Sequence, residues 1–537
     1  MSVHVASLAA IRTGTDSRVP RGESVGALLR RVTAETPDRT ALVDGAPGAR
    51  RRWTYAELLD GAQGVARALL RCCRPGDRVA VWAPTIPEFV VAEYGIALAG
   101  MIMVTINPAF RAPEARFVLE DAGVAACLTV QDFRGHRLLE MATALESELE
   151  ELRTVVDLEH AELFLAAADP AAVLPEVDPG SPAMILYTSG TTGVPKGALL
   201  AHACVTDNVT DGAANIAGRS ADRTVWLALL PMFHLAGCVV AALGTATLHG
   251  TLVTVPRFDA RAVLDLVEQE RVSTMNIVPT LMWALLRHPD LPDVDISAIH
   301  SVMLGGATIP PELARRVRDR GIVPIVGYGL TEAPMVSATS DGDSDRDLVE
   351  TIGRALPHVA VRIADPENDA PRGIGEIGEI QTRGRHTFLG YWRRPTATDA
   401  AYAADGWFKT GDLGVMDDRG VLSMAGRAKD MIIRGGENVY PREIEDHLVQ
   451  LPDVLEAAVV GLPDEYYGEV VAAFVRPAPG IRPVRELAEV LSRDLTGYKV
   501  PSRWFLVDRF PTTESGKVQK FALVEAWRSG RYAEEAV

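Results

Sequence analysis

Lysine is scarce in this chain: Lys196, Lys409, Lys429, Lys499, Lys517 and Lys520 are the only six among 54 basic residues. Arginine serves wherever a generic positive charge will do. Each lysine therefore marks a place where a compact ammonium on a flexible stem is wanted. Cysteine is also scarce. Cys72, Cys73, Cys127, Cys204 and Cys238 form an odd, scattered set without C-x-x-C spacing, which points to reduced thiols in a cytoplasm rather than a disulfide framework. Positive charge is outweighed: the net charge is −17, which argues against nucleic acid or an anionic membrane as the main partner. A phosphate-bearing ligand must then be met by positive charge held locally. The first twenty residues carry arginines but no apolar core, so a signal peptide is not expected. One stretch, Thr224 to Pro256, lacks Asp, Glu, Lys and Arg altogether, and its length would permit a membrane span. Pro231, His234, Gly237, Gly244, His249 and Gly250 interrupt it, so it reads as buried strand, loop and helix, with no span.

What is present is globular. A hydrophobic content of 47% and a charged content of 23% are ordinary, and 537 residues exceed one core, so two or more domains are expected. After a loose tail over residues 1–20, Thr54 and Glu57 have capping-box spacing and open a helix. Arg78 to Ala83 reads as strand, Glu88 to Ala99 as helix, Met101 to Ile106 as strand and Pro113 to Ala122 as helix. This alternation predicts a parallel α/β sheet, continuing to about residue 340. Residues 341–347 read as a polar loop, and Ile352 to Gly420 as a small β subdomain of short strands. From Lys429 a compact α+β domain is expected, with helices over 441–450 and 484–495 and strands over 457–460, 470–476 and 504–507. The expected boundaries are 1–428 for a large α/β region and 429–537 for the small C-terminal domain.

The stretch Ile185-Leu-Tyr-Thr-Ser-Gly-Thr-Thr-Gly-Val-Pro-Lys-Gly197 carries the clearest chemistry. A buried strand runs into a loop where glycine lets successive N–H groups face one anion. Thr188, Ser189, Thr191 and Thr192 supply hydroxyls, Gly190 and Gly193 the freedom to turn, and Lys196 a point charge. Bare Gly/Thr loops are often only surface loops; the lysine and the full run favour polyphosphate binding. The spacing is not that of a Walker A loop, because Gly190 and Gly193 lie three apart and Gly197 follows Lys196.

Further along, Gly305, Gly306 and Ala307 follow an apolar strand and allow close approach of a flat ligand, or simply make a strand-to-helix turn before Pro310 and Pro311. In Gly327-Tyr-Gly-Leu-Thr-Glu-Ala333, Tyr328 can stack on a purine, Thr331 can bond a phosphate, and Glu332 can hold Mg2+. Thr410-Gly-Asp-Leu-Gly414 reads as a tight turn carrying a carboxylate.

Together with Gly426-Arg-Ala-Lys-Asp430, Arg434-Gly-Gly-Glu-Asn-Val-Tyr-Pro441 and Pro511-Thr-Thr-Glu-Ser-Gly-Lys-Val-Gln-Lys520, these motifs resemble, in order, the signatures of the adenylate-forming enzymes. Nearly the whole chain is covered, and the similarity is closest to bacterial fatty-acid and cyclohexanecarboxylate-type CoA ligases. The resemblance implies ATP, Mg2+ and coenzyme A. It implies that Asp412 and Arg427 bind ribose, Lys517 is the catalytic lysine, Gly435 and Gly436 line the CoA path, and Lys429 is the hinge of a mobile C-terminal domain. Amino-acid-activating relatives place an aspartate where this chain has Phe233-His234. A buried ammonium would lack a partner there, so an apolar acid is expected, with Phe233, His234, Gly237, Gly305, Gly327 and Gly329 around it. His234 lines the carboxylate end of the pocket or is a satisfied core histidine. The expected reaction is acid plus ATP to acyl-AMP, then transfer to CoA. An acyl-AMP ligase loading an acyl carrier protein is the alternative, and a non-catalytic nucleotide or acyl sensor a third; a carrier domain within these residues is not expected.

Overall fold

The computed structural model describes residues 9–14, 20–48, 50–188, 195–218, 223–305, 309–435, 437–464, 466–512 and 518–535. The chain packs as two units. One comprises Arg12–Val361 with Thr382–Phe408; the other comprises Met1–Ile11, Arg362–Gln381 and Lys409–Val537. Residues 409–428, expected in the large region, therefore pack with the C-terminal part of the chain.

The larger unit holds two sheets. In the seven-stranded sheet, Pro182–Thr188, Ile102–Thr105, Arg78–Trp82, Val124–Thr129 and Thr154–Asp157 run parallel. Lys196–Ala201 and Gly390–Tyr391 add antiparallel strands at one edge. In the nine-stranded sheet, the strands from Val323–Leu330 across to Thr40–Asp44 are parallel, with antiparallel strands at both ends. Strands such as Ile102–Thr105, Val124–Thr129 and Thr274–Ile277 are buried at every position, as parallel strands covered on both faces require. Their helices follow the predicted pattern: Tyr55–Leu69 starts with the Thr54/Glu57 capping box, and Pro87–Leu98 and Ala112–Ala122 follow.

The uncharged stretch folds as foreseen. It forms strands Val225–Ala228 and Thr251–Thr254 around a π-helical segment, Ala236–Leu243, that runs into Gly244–Thr247. Among the described residues no helix is long and apolar enough to cross a membrane.

In the other unit, Phe408–Met416 and Leu422–Arg427 form an antiparallel hairpin. The C-terminal sheet runs Glu437–Val439, Ile432–Arg434, Gly468–Pro477, Val454–Asp464, with Arg503–Leu506 parallel to Gly468–Pro477. Successive side chains of a strand face opposite ways, and the two faces carry separate cores. Val459, Val471 and Ala473 pack with Ile444, Leu448, Leu487 and Leu491 from helices Pro441–Val449 and Val484–Asp494. Val460, Ala472 and Phe474 pack with Phe505 and Leu523, the latter from helix Lys520–Arg528.

Three local expectations fail. Ile11–Thr13 is a strand rather than part of a loose tail, and the Ala10 N–H donates to the Arg372 carbonyl at 2.9 Å. The polar loop over 341–347 gives way to helix Asp345–Glu350, because Ser344 caps it by accepting from the Asp347 N–H. Thr410–Gly414 is no tight turn. It lies inside strand Phe408–Met416, where a register shift between Leu413 and Gly414 marks a bulge.

Candidate active site

Thr188 and Lys196 stand opposite each other at the base of an antiparallel hairpin. The Thr188 hydroxyl donates to the Lys196 carbonyl at 3.4 Å. The loop they close thus has a rigid stem inside the parallel sheet. Ser189, Gly190, Thr191, Thr192 and Gly193 lie outside the described residues, as do Gly306, Ala307, Gly436 and Lys517.

The far side of strand Lys196–Ala201 pairs with Gly390–Tyr391, and the Trp392 N–H donates to the Gly197 carbonyl at 2.8 Å. This edge strand is pinned further by Asp121. Its carbonyl accepts from the Trp392 indole at 3.1 Å, and its carboxylate pairs with Arg394 and accepts from the Tyr187 hydroxyl at 2.7 Å. Tyr391 is consequently held beside the lysine. The Lys196 ammonium lies 5.2 Å from the centroid of its ring, and its hydroxyl donates to Glu332 Oε1 at 2.8 Å. Burial, followed by the Glu332 charge and this hydrogen bond, pushes the Tyr391 phenol upward, so it stays a neutral donor.

Glu332 is buried and occupies, with half-buried Thr331, the turn between strands Val323–Leu330 and Ala333–Ala338. Its carbonyl accepts from the Phe388 N–H at 2.8 Å. Tyr328 is half-buried on the strand leading into this turn, opposite Ser337. The structure thus groups Lys196, Tyr391 and Glu332. Tyr391 carried no signal in the sequence, since Gly-Tyr-Trp between two loops matches no pattern of period or spacing.

The Phe233 and His234 rings lie tilted against each other, with centroids 4.4 Å apart, just before the π-helical segment. The Phe233 carbonyl accepts from Thr105 at 2.8 Å, and the Asn276 amide donates to the Ala236 carbonyl at 2.6 Å. The small residues near them do not all make room. A Cβ on Gly237 would lie 2.3 Å from the Pro231 carbonyl oxygen, and one on Gly329 2.1 Å from that of Pro334. These two glycines permit close backbone contact. Gly305 and Gly327 border a side chain: added Cβ atoms would lie 3.8 and 2.4 Å from the Met303 methyl. Met303 therefore covers that surface, a role its place in strand Ser301–Leu304 did not advertise.

In the other unit, Asp412 and Arg427 face each other across the hairpin. Gly411 has φ +72° and donates its N–H to Glu379 at 2.9 Å; burial raises the Glu379 carboxyl. Lys429 is exposed in the single 3-10 turn Ala428–Asp430. Gly435 has φ +59° and donates its N–H to the Tyr467 carbonyl at 2.8 Å. Rarity alone does not mark a lysine for a ligand. Lys409 pairs with Asp369, Lys499 with Glu443 and Lys520 with Glu445 at 2.7–2.8 Å.

A parallel α/β unit with a glycine-rich hairpin loop, joined in sequence to a small α+β sheet, defines a nucleotide-dependent ligase class. Residues 29–392 match the family model for the AMP-binding enzyme, and residues 443–517 that for the AMP-binding enzyme C-terminal domain. The chain belongs to the AMP-binding enzymes. It is 36% identical to the putative acyl-CoA synthetase YngI of Bacillus subtilis, covering 94% of this chain and 96% of that one. It is 35% identical to a feruloyl-CoA synthase of an Amycolatopsis species, covering 93% and 98%. The crystal structure of ATP-bound MatB from Rhodopseudomonas palustris superposes with a TM-score of 0.86 at 30% identity, over 94% of this chain and 99% of that one. The protein is an acyl-CoA synthetase: it activates a carboxylic acid with ATP and passes the acyl group to CoA.

Proposed function

We propose that the acid is apolar and lacks an amino group, that Mg2+ is the metal, and that two domain arrangements serve the two half-reactions. The observation that carries the substrate reading is the Phe233–His234 ring pair leading into Ala236–Leu243, a segment without a charged side chain. An ammonium buried there would pay its full desolvation cost. Glu93 does not supply a counter-charge, because complete burial raises its carboxyl far above the usual range. The similarity to an enzyme named for an aromatic acyl group supports the same reading.

In the first half-reaction the carboxylate attacks the α-phosphorus, the bond to the pyrophosphate oxygen breaks, and pyrophosphate leaves. Two anions meet, so the task is electrostatic. Thr188, Lys196 and the loop between them hold the leaving pyrophosphate, Lys517 offsets charge between carboxylate and α-phosphate, and Asp412 and Arg427 hold the ribose. Tyr328 stacks on adenine, and Thr331 bonds phosphate. Among the described residues no three His, Cys, Asp or Glu side chains gather as a metal site. Glu332 presents a carboxylate whose Oε1 accepts from Tyr391, while its Oε2 has no hydrogen bond to another described residue. That fits Mg2+, which takes one or two carboxylates together with phosphate oxygens. Bound there, the ion would neutralise charge on the departing pyrophosphate.

In the second half-reaction the CoA thiolate attacks the acyl carbonyl and AMP departs. Lys429 is the hinge on which the C-terminal domain turns, and Gly435 and Gly436 line the thiol's route. The setting is the cytoplasm, in keeping with five free cysteines.

A panel of fatty, alicyclic, aromatic and amino acids, each with ATP and Mg2+, tests the reading through pyrophosphate release, with CoA or a holo-carrier protein as acceptor. Fastest release with an apolar acid and thioester formation on CoA are expected. Fastest release with an amino acid, or transfer only to the carrier, would refute it.

A further inference from the structure

Lys196 and Glu332 carry opposite charges, both are needed for different partners, and one side chain stands between them. Lys196 is half-buried on a flexible stem, and Glu332 is buried. Direct pairing would neutralise the cation meant for pyrophosphate and the anion meant for metal. Among the described residues Lys196 forms no ion pair; its ammonium instead rests against the Tyr391 ring at 5.2 Å. The same ring ends in the hydroxyl that holds Glu332 Oε1 at 2.8 Å.

We propose that Tyr391 is a positioning residue of this site: its hydroxyl orients the Glu332 carboxylate, and its ring keeps the Lys196 ammonium from collapsing onto that carboxylate. The inference rests on the reading of Lys196 as a pyrophosphate ligand and Glu332 as a metal ligand.

The geometry suits both tasks. Anchoring one oxygen leaves Oε2 aimed elsewhere, as a partner behind a metal-binding carboxylate does. The ring's negative face attracts an ammonium without discharging it. Tyr391 can hold its place because its strand is fastened on both sides. Gly390 and Tyr391 pair with Leu199 and Ala198, and the next residues, Trp392 and Arg394, are tied to Asp121. Phe388, three residues earlier, packs edge-on against Tyr391 with centroids 4.9 Å apart and donates its N–H to the Glu332 carbonyl. Tyrosine meets both demands at once: phenylalanine would keep the ring and lose the anchor, and leucine would lose both.

The test measures binding, with Mn2+ and ATP as probes and no acid present. Free Mn2+ is followed by electron paramagnetic resonance, and metal-free ATP affinity by calorimetry. Tyr391→Phe should weaken Mn2+ binding in the presence of ATP by about tenfold, the scale of losing a partner behind a metal ligand, and leave metal-free ATP affinity unchanged. Tyr391→Leu should weaken both, because Lys196 is released to pair with Glu332. Adding Glu332→Gln to Tyr391→Leu should restore metal-free ATP affinity, since the trap is gone; a purely structural role predicts no such rescue. Wild-type Mn2+ binding in Tyr391→Phe would overturn the anchoring role, and absence of rescue in the double variant would overturn the spacing role. Failure of the wild-type protein to form acyl adenylate from any acid would instead count against the proposed function, whatever the Mn2+ titrations show.

Discussion

The Arg427 guanidinium lies 3.1 Å from the Asp412 carboxylate, one directly opposite the other on neighbouring strands. Asp412 is buried and Arg427 exposed. The arginine thus stands at the surface edge of the carboxylate proposed to accept the ribose hydroxyls. Asp412→Ala should raise the KM for ATP by about ten- to a hundredfold, the range for hydrogen bonds to a charged group. It should also abolish any preference for ATP over 2′-deoxy-ATP. Steady-state kinetics with both nucleotides checks this; an unchanged preference would remove Asp412 from the ribose site.

The two half-reactions should separate by mutation. Lys517→Ala should slow acyl-AMP formation by roughly a hundredfold or more, as loss of one charge-stabilising donor does, while sparing thioester formation from supplied acyl-AMP. Gly435→Leu should do the reverse. It places a branched side chain on the proposed route of the thiol at φ +59°, with an added Cβ only 3.3 Å from the Tyr467 ring. Single-turnover assays of each step decide the matter; equal loss in both steps for both variants would contradict alternating domain positions.

Acid should destabilise the protein through two buried histidines. His202 and His386 are pushed down to about 4 by burial. His202 accepts from the Val25 N–H at 3.3 Å, and His386 shares a 2.8 Å hydrogen bond with Thr382. A folded-state pKa below the unfolded value means that the unfolded chain binds the proton more readily. The stability in question is therefore complete above about pH 6.5 and drains away as pH falls towards 4. The size is roughly 3 kcal/mol per histidine. Melting temperature followed from pH 7 to pH 5 should fall, and less steeply in His386→Gln. An identical slope in that variant would exclude His386.

Among the described residues Glu93 has both side-chain oxygens buried without a partner. It sits in helix Pro87–Leu98. Glu93→Leu keeps approximate volume and removes the orphaned polar atoms, so it should stabilise the protein by about 1–3 kcal/mol. Chemical denaturation measures this. A loss of stability would refute the reading of Glu93 as an uncompensated buried group.

Much of the fold was legible because its signals are local. The Thr54/Glu57 box, the period of Leu58, Ala62, Val65 and Leu69, and the unbroken apolar strands act within a few residues. Two of the misreadings share one cause. Ile11–Thr13 and Thr410–Gly414 carry weak or glycine-broken patterns, and partners distant in sequence make them strands. Gly237 and Gly329 also approach the backbone of Pro231 and Pro334 closely, contacts that only the folded chain makes.

The amino-acid sequence by itself determined which residues offer hydroxyls, ammonium and carboxylates at short spacing, and the order of strand and helix. Those properties reside in residue type and short-range spacing. Tertiary structure alone decided what stands between Lys196 and Glu332. Tyr391 reaches them because a two-residue strand pairs with one nearly two hundred residues earlier in the chain. Edge-strand pairing depends on backbone hydrogen bonds and on anchors such as Asp121, and neither leaves a period in the sequence.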